Sequence, residues 1–216
     1  MKLKTIYLKN FRCYKDEVRI EFDDLTTFVG KNDIGKSTIL EALEIFFNND
    51  LVKIEPSDAN IHGDNNVVIT CDFCDLPSEL ILDSGEITNL ADEYLTISND
   101  TLRIKKVYDC SKSKVPSTVY IVANHPNVVE AKDLLSLKEK ELQKIIKDKG
   151  IDGPLKGNPL MRKAIWASIE DLHLQVTEIE VSKAKEDGKE IWTKIDAYLP
   201  NYALFQSDRS SHDSDG

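Results

Sequence analysis

Gly30-Lys31-Asn32-Asp33-Ile34-Gly35-Lys36-Ser37 carries the spacing GxxxxGK[ST]. Gly30 and Gly35 allow backbone conformations that a side chain forbids, so successive N–H groups can turn inward around phosphate oxygens. Lys36 supplies a point charge for the β- and γ-phosphates, and Ser37 offers a hydroxyl to Mg²⁺. A helix opening at this point aims the positive end of its dipole at the anion. The flanks agree with that reading. Leu25-Thr26-Thr27-Phe28-Val29 reads as a short buried strand, and Ile39, Ala42, Leu43 and Phe46 fall at i, i+3, i+4 and i+7 of a helix. Strand, loop and helix together imply a nucleoside-triphosphate site in an α/β fold.

Two further strands are expected ahead of the loop. Leu3 to Leu8 begins one, Asn10-Phe11-Arg12 follows it, and Val18-Arg19-Ile20-Glu21-Phe22 alternates as the second. This order, with the loop and the run Ser37-Thr38-Ile39-Leu40-Glu41-Ala42-Leu43 behind it, resembles the N-terminal lobe of the ABC-type ATPase heads of the SMC, RecF and OLD group. In that group an Asn-Phe-Arg strand end opens the chain and the loop reads GxNxxGKS. Asp33-Ile34 stands where SMC and RecF proteins usually place Gly after the Asn. In this the chain looks more like OLD-family endonuclease ATPases, including those of phage-defence systems such as Gabija and some retrons. The resemblance is specific over about the first fifty residues. It implies ATP and Mg²⁺ as cofactors, with Lys36 as the phosphate lysine and Ser37 as the metal hydroxyl. It also places Gly30, Lys31, Asn32, Asp33, Ile34, Gly35 and Thr38 around the phosphates, and Arg12 beside the nucleotide. As residues alone, an arginine after a strand suits an ion pair equally well.

An ATPase of this class needs an apolar strand ending in paired carboxylates to order Mg²⁺ and activate water. Val119-Tyr120-Ile121-Val122 is followed by Ala123-Asn124-His125, and Ile165 to Asp171 has the spacing of an amphipathic helix, so neither supplies it. The Ser-Gly-Gly signature of the group is also not found. The chain is therefore expected to be the N-terminal portion of a longer protein. Alone it should bind Mg-ATP weakly and hydrolyse it slowly or not at all, because positioning and charge stabilisation are most of phosphoryl-transfer catalysis.

Composition narrows the partners. Of the 216 residues 41% are hydrophobic and 31% charged, ordinary for a soluble globular protein, and the net charge of −10 argues against a broad nucleic-acid surface. Arg103, Lys105, Lys106, Lys112 and Lys114 form one local basic stretch. Lys138, Lys140, Lys144, Lys147 and Lys149 form another, interleaved with acids at helical spacing as on a solvated helix face. Met1 to Tyr7 alternates where a leader or membrane span would run apolar, so a cytoplasmic protein with no membrane partner is expected. Cys13, Cys71, Cys74 and Cys110 suit reduced thiols. Cys71-Asp72-Phe73-Cys74 reads as two strand cysteines on opposite faces, with no second pair to complete a zinc site.

Along the chain, 1–125 reads as the P-loop lobe with an antiparallel β-subdomain, whose β-runs are expected at 67–73, 94–98, 101–108 and 117–122. A short helix is expected between Pro77 and Asp92. In the polar connector Asn48 to Asn66, Asp58 and His62 match an acid and a histidine of OLD-type chains, and a surface turn with a cap at Ser57 or Asp58 is the preferred account of them. Residues 126–200 read as a helical insertion. It comprises one helix from Leu134 to Gly150, a second from Leu160 to about Glu180 and a third element through Trp192, Ile195 and Leu199. Residues 201–216 read as a strand at Tyr202 to Phe205 and a mobile tail.

The leading expectation is an ATP-binding segment that couples nucleotide binding and dimerisation to DNA processing in the complete protein. The alternative is a module that senses ATP without consuming it. A nucleotide kinase is disfavoured, because acceptor-site arginines and a lid do not follow the first helix. The absence of Asn-Lys-x-Asp favours ATP over GTP.

Overall fold

The computed structural model describes residues 1–30, 35–81, 87–98 and 100–205. In chain order these form β1 (Lys2–Lys9), β2 (Val18–Glu21), α1 (Lys36–Phe47), β3 (Asn66–Cys74), β4 (Leu80–Ile81) and β5 (Ile87–Thr88). There follow β6 (Leu102–Asp109), β7 (Ser117–His125), α2 (Glu139–Lys149), α3 (Asn158–Ala167), β8 (Gln175–Glu180) and α4 (Glu186–Tyr198). Six strands make one antiparallel sheet in the order β2-β1-β3-β6-β7-β8, and β4 pairs with β5 separately. Among the described residues no helix is long and apolar enough to cross a membrane.

Period-two alternation decides which face is covered. Ile6, Leu8, Val67, Ile69, Cys71, Phe73, Leu102, Ile104 and Ile121 are buried in one cluster with Ile39, Ala42, Leu43 and Phe46 of α1 and Ile191 and Ile195 of α4. Each large side chain buried there contributes roughly 1.5–3 kcal/mol before chain entropy is counted. The far end of α1 is finished by β6. Lys106 Nζ donates to the Phe46 carbonyl at 2.6 Å and Tyr108 Oη to that of Ile45 at 3.2 Å, which answers carbonyls that the last helical turn leaves unpaired. On the uncovered face Arg103 makes a two-pronged bond to Asp72 and a further one to Tyr7 Oη, while Lys105 pairs with Glu178. The basic stretch 103–114 therefore does not gather into a patch: Arg103 and Lys105 are neutralised on the open face and Lys106 serves the helix end. Cys71 lies in the core and Cys74 is only half-buried, in keeping with opposite faces of β3.

A second cluster unites Leu142 and Ile146 of α2 with Met161, Ile165 and Trp166 of α3. Gly150 ends α2 in the left-handed conformation, φ 61°, as the sequence implies. His125, at the end of β7, joins this cluster to the sheet. Nδ1 lies 2.9 Å from the Tyr94 carbonyl, Nε2 lies 3.3 Å from that of Lys132, and the ring meets Trp166 edge to face. Burial holds its pKa below the ordinary 6.5. The unfolded chain thus binds the proton more readily, and stability present above pH 6.5 should be lost as pH falls toward the lowered folded value. Urea melts from pH 7.5 to pH 5 should show this fall, and His125→Gln should flatten it; an unchanged acid limb would remove His125 as its source.

Several expected elements are corrected by the structure. Residues 25–29 are not a strand: among the described residues no strand lies beside them to complete a ladder, and Leu25 and Val29 are 86% and 90% exposed. Residues 94–98 make one isolated bridge, Ser98 to Thr101. Between Pro77 and Asp92 the short ribbon β4–β5 replaces the helix. The helix from Leu134 is a single 3-10 turn, Leu134–Ser136, followed by a break before α2. The second long helix stops at Ala167, and 175–180 becomes edge strand β8 because its backbone pairs with β7, Ile179 opposite Ile121. Tyr202 to Phe205 is not a strand either. Tyr202 stacks on Phe47 and donates to the Leu40 carbonyl at 2.8 Å, and its own carbonyl receives Asn48 Nδ2, so its bonds go to α1. The expected tail, 206–216, lies outside the described residues.

Candidate nucleotide site

The sheet and α1 bring three segments together: the loop, the turn 10–15 after β1, and the connector 55–66. Gly35 immediately precedes α1 with φ 86° and makes no side-chain cap bond. The first turn of the helix holds no acidic residue, so no carboxylate competes for the positive end of the dipole. Lys36 Nζ donates to the Gly30 carbonyl at 2.7 Å. Ser37 is exposed at the head of the helix, and Thr38 is buried. Lys31, Asn32, Asp33 and Ile34 lie outside the described residues. Lys36 and Ser37, with Phe22, Thr27, Phe28 and Leu40, line an open groove of about 560 Å³. A glycine before the helix, a first turn without carboxylates and an ammonium lining the groove fit a polyphosphate, and the Ser37 hydroxyl fits a hard cation bound to it.

Gly35 has no room for a side chain. A Cβ there would lie 2.8 Å from Tyr14 Oη and 2.9 Å from Cys13 Sγ. Gly35→Ala should therefore combine that crowding with roughly 1–2 kcal/mol of left-handed strain. Both a lower melting temperature and weaker nucleotide binding are expected, measured by thermal melts and titration; wild-type values for both would contradict the crowded geometry.

Arg12 sits at φ 47°, its N–H bonded to the Asp58 carbonyl at 2.7 Å. Its Nε donates to Asp58 Oδ1 at 2.8 Å, and the guanidinium also pairs with Glu41 of α1. Burial opposes its charge, but the bonds to Glu41 and Asp58 outweigh it and its pKa is raised. Arg12 is thus held between Glu41 of α1 and Asp58 of the connector turn. Asp58 also accepts from the Glu55 N–H at 2.8 Å and caps the turn Pro56–Asp58. His62 is exposed, its N–H held by the Asn60 side chain. The sequence reading missed Glu41 and Tyr14; the aromatic pair Phe11 and Tyr14 flanking Arg12 was the available signal. Among the described residues no group of His, Cys, Asp and Glu could hold a metal ion by itself.

A family model described as AAA ATPase domain matches residues 1–216. Over 44 residues the chain is 48% identical to the chromosome partition protein Smc of Halobacteriovorax marinus, a stretch that makes up 20% of this chain and 4% of that protein. The match therefore spans a small fraction of that relative's length. A solved chain from a study of ATP-driven dimerization and DNA-stimulated activation of SMC ATPases aligns with a TM-score of 0.38 at 17% identity. That alignment covers 56% of this chain and 69% of the other.

Proposed function

From the premise that this chain belongs to the AAA ATPase domain family, we propose that it binds Mg-ATP at 30–38. The observation that carries this reading is the start of α1: Gly35 at φ 86°, no acidic residue in the first turn, and Lys36 Nζ bonded to the Gly30 carbonyl. In this reading Lys36 holds the β- and γ-phosphates, Ser37 the magnesium ion, and the loop backbone from Gly30 to Gly35 the remaining oxygens. Magnesium held by the Ser37 hydroxyl would neutralise charge on the phosphates. Arg12 uses Nε on Asp58 and Nη1 on Glu41, and in this reading its remaining guanidinium donors face the nucleotide. Turnover by this chain alone is slow, because no paired-carboxylate strand is recognised in its sequence. In a longer assembly the segment couples ATP to dimerisation and DNA processing; service in phage defence, as in OLD-type endonucleases, is its narrowest form.

Equilibrium titration with Mg-ATP and Mg-GTP, with phosphate release followed alongside, tests the reading. Saturable binding that prefers ATP, with little release, is expected. Absence of binding would refute the site, and rapid release would refute the need for further residues. The observation favouring an ATP sensor instead is the tight pairing of Arg12 with Glu41 and Asp58, which ties the connector to the nucleotide helix.

A further inference from the structure

We propose that Tyr14 is a positioning residue of the phosphate loop, its hydroxyl pinning the Gly35 carbonyl and so aiming the first N–H of α1. This rests on the reading that 30–38 holds the phosphates of ATP. Tyr14 Oη donates to Gly35 O at 3.1 Å. The Gly35–Lys36 peptide is planar and trans, so its carbonyl and the Lys36 N–H point in opposite directions. Holding the oxygen on one side fixes the donor on the other. A tether is needed there because glycine alone leaves that peptide free to rotate. The helix itself holds the oxygen weakly, through a long bond of 3.3 Å from the Ile39 N–H.

The brace is itself rigid. Phe11 is fully buried, and the Phe11 and Tyr14 backbones exchange bonds of 2.9 and 2.8 Å across a tight turn. Between them Arg12 is clamped to Glu41 and Asp58, so the same turn grips α1 again farther along. The Tyr14 hydroxyl and Cys13 thiol lie so close to Gly35 that a Cβ there would crowd both. Partial burial raises the Tyr14 pKa, so the hydroxyl keeps its proton and remains a donor at neutral pH.

Tyr14→Phe keeps the ring and removes the oxygen. The expected result is Mg-ATP and Mg-ADP affinities about fivefold weaker by equal factors, the value of one ordinary hydrogen bond. The melting temperature without nucleotide should fall by only a few degrees, as loss of one hydrogen bond implies, and the Lys36 amide resonance should shift in the free protein. A merely structural tyrosine would move the melting temperature and leave the affinity of the folded fraction unchanged; that outcome overturns the proposal. Wild-type affinity with an unmoved Lys36 amide overturns it too, while leaving the ATP site standing. Failure of the wild-type protein to bind either nucleotide overturns both.

Discussion

Lys36→Ala is expected to weaken Mg-ATP binding between about 10- and 100-fold, the range set by a charge-assisted bond of roughly 1.5–3 kcal/mol. The fold should survive, because Lys36 is half-buried at the head of α1 and its bond to Gly30 is exposed to solvent. Calorimetric titration of the two proteins, with thermal melts as control, measures the loss. Equal affinities would remove the phosphate role of the loop, and with it the proposed function.

Arg162→Ala should cause the largest loss of stability. Arg162 is fully buried, bonded to Glu93 at 2.8 and 2.7 Å and paired with Asp187. Thr88 Oγ1 donates to the same Glu93 at 2.7 Å and Asn158 Nδ2 to Asp187 at 3.0 Å, so the cluster ties β5, the turn after it, α3 and α4 together. Burial works against the guanidinium charge, yet the bonds to the two acids outweigh it and raise its pKa. Removing the cation strands two buried carboxylates, at a cost of roughly 3–5 kcal/mol. The melting temperature should fall by about 10 °C in a domain of this size. Replacing Arg162, Glu93 and Asp187 together by Met, Leu and Leu should restore most of the loss, since no uncompensated charge then remains. A fall below about 1 kcal/mol in urea melts would show that water reaches the cluster.

The alternating runs were legible because burial on one face imposes a period of two. Ile6 and Leu8, Ile69 and Phe73, and Leu102 and Ile104 all lie in the core as their spacing implies. The helix after the loop was legible for the same reason at a period of 3.6, with Ile39, Ala42, Leu43 and Phe46 inside. Gln175 to Glu180 was not. Its residues continue a helical pattern from α3, and the free edge of β7 overrides it by offering a ladder of backbone bonds. Leu25 to Val29 failed in the opposite sense, since an apolar run becomes a strand only where a neighbour pairs with it.

By itself the sequence determined helix α1 and the amphipathic strands behind it, because each follows from residue period, and the spacing of 30–37 is what the proposed phosphate site is read from. Tertiary structure alone decided that Arg12 faces Glu41 and Asp58, that Tyr14 braces Gly35, and that Arg162 gathers Glu93 and Asp187. Those pairings join residues far apart in the chain, and whether charged groups meet or stay in water depends on which surfaces the packed sheet and helices bring within a few ångströms.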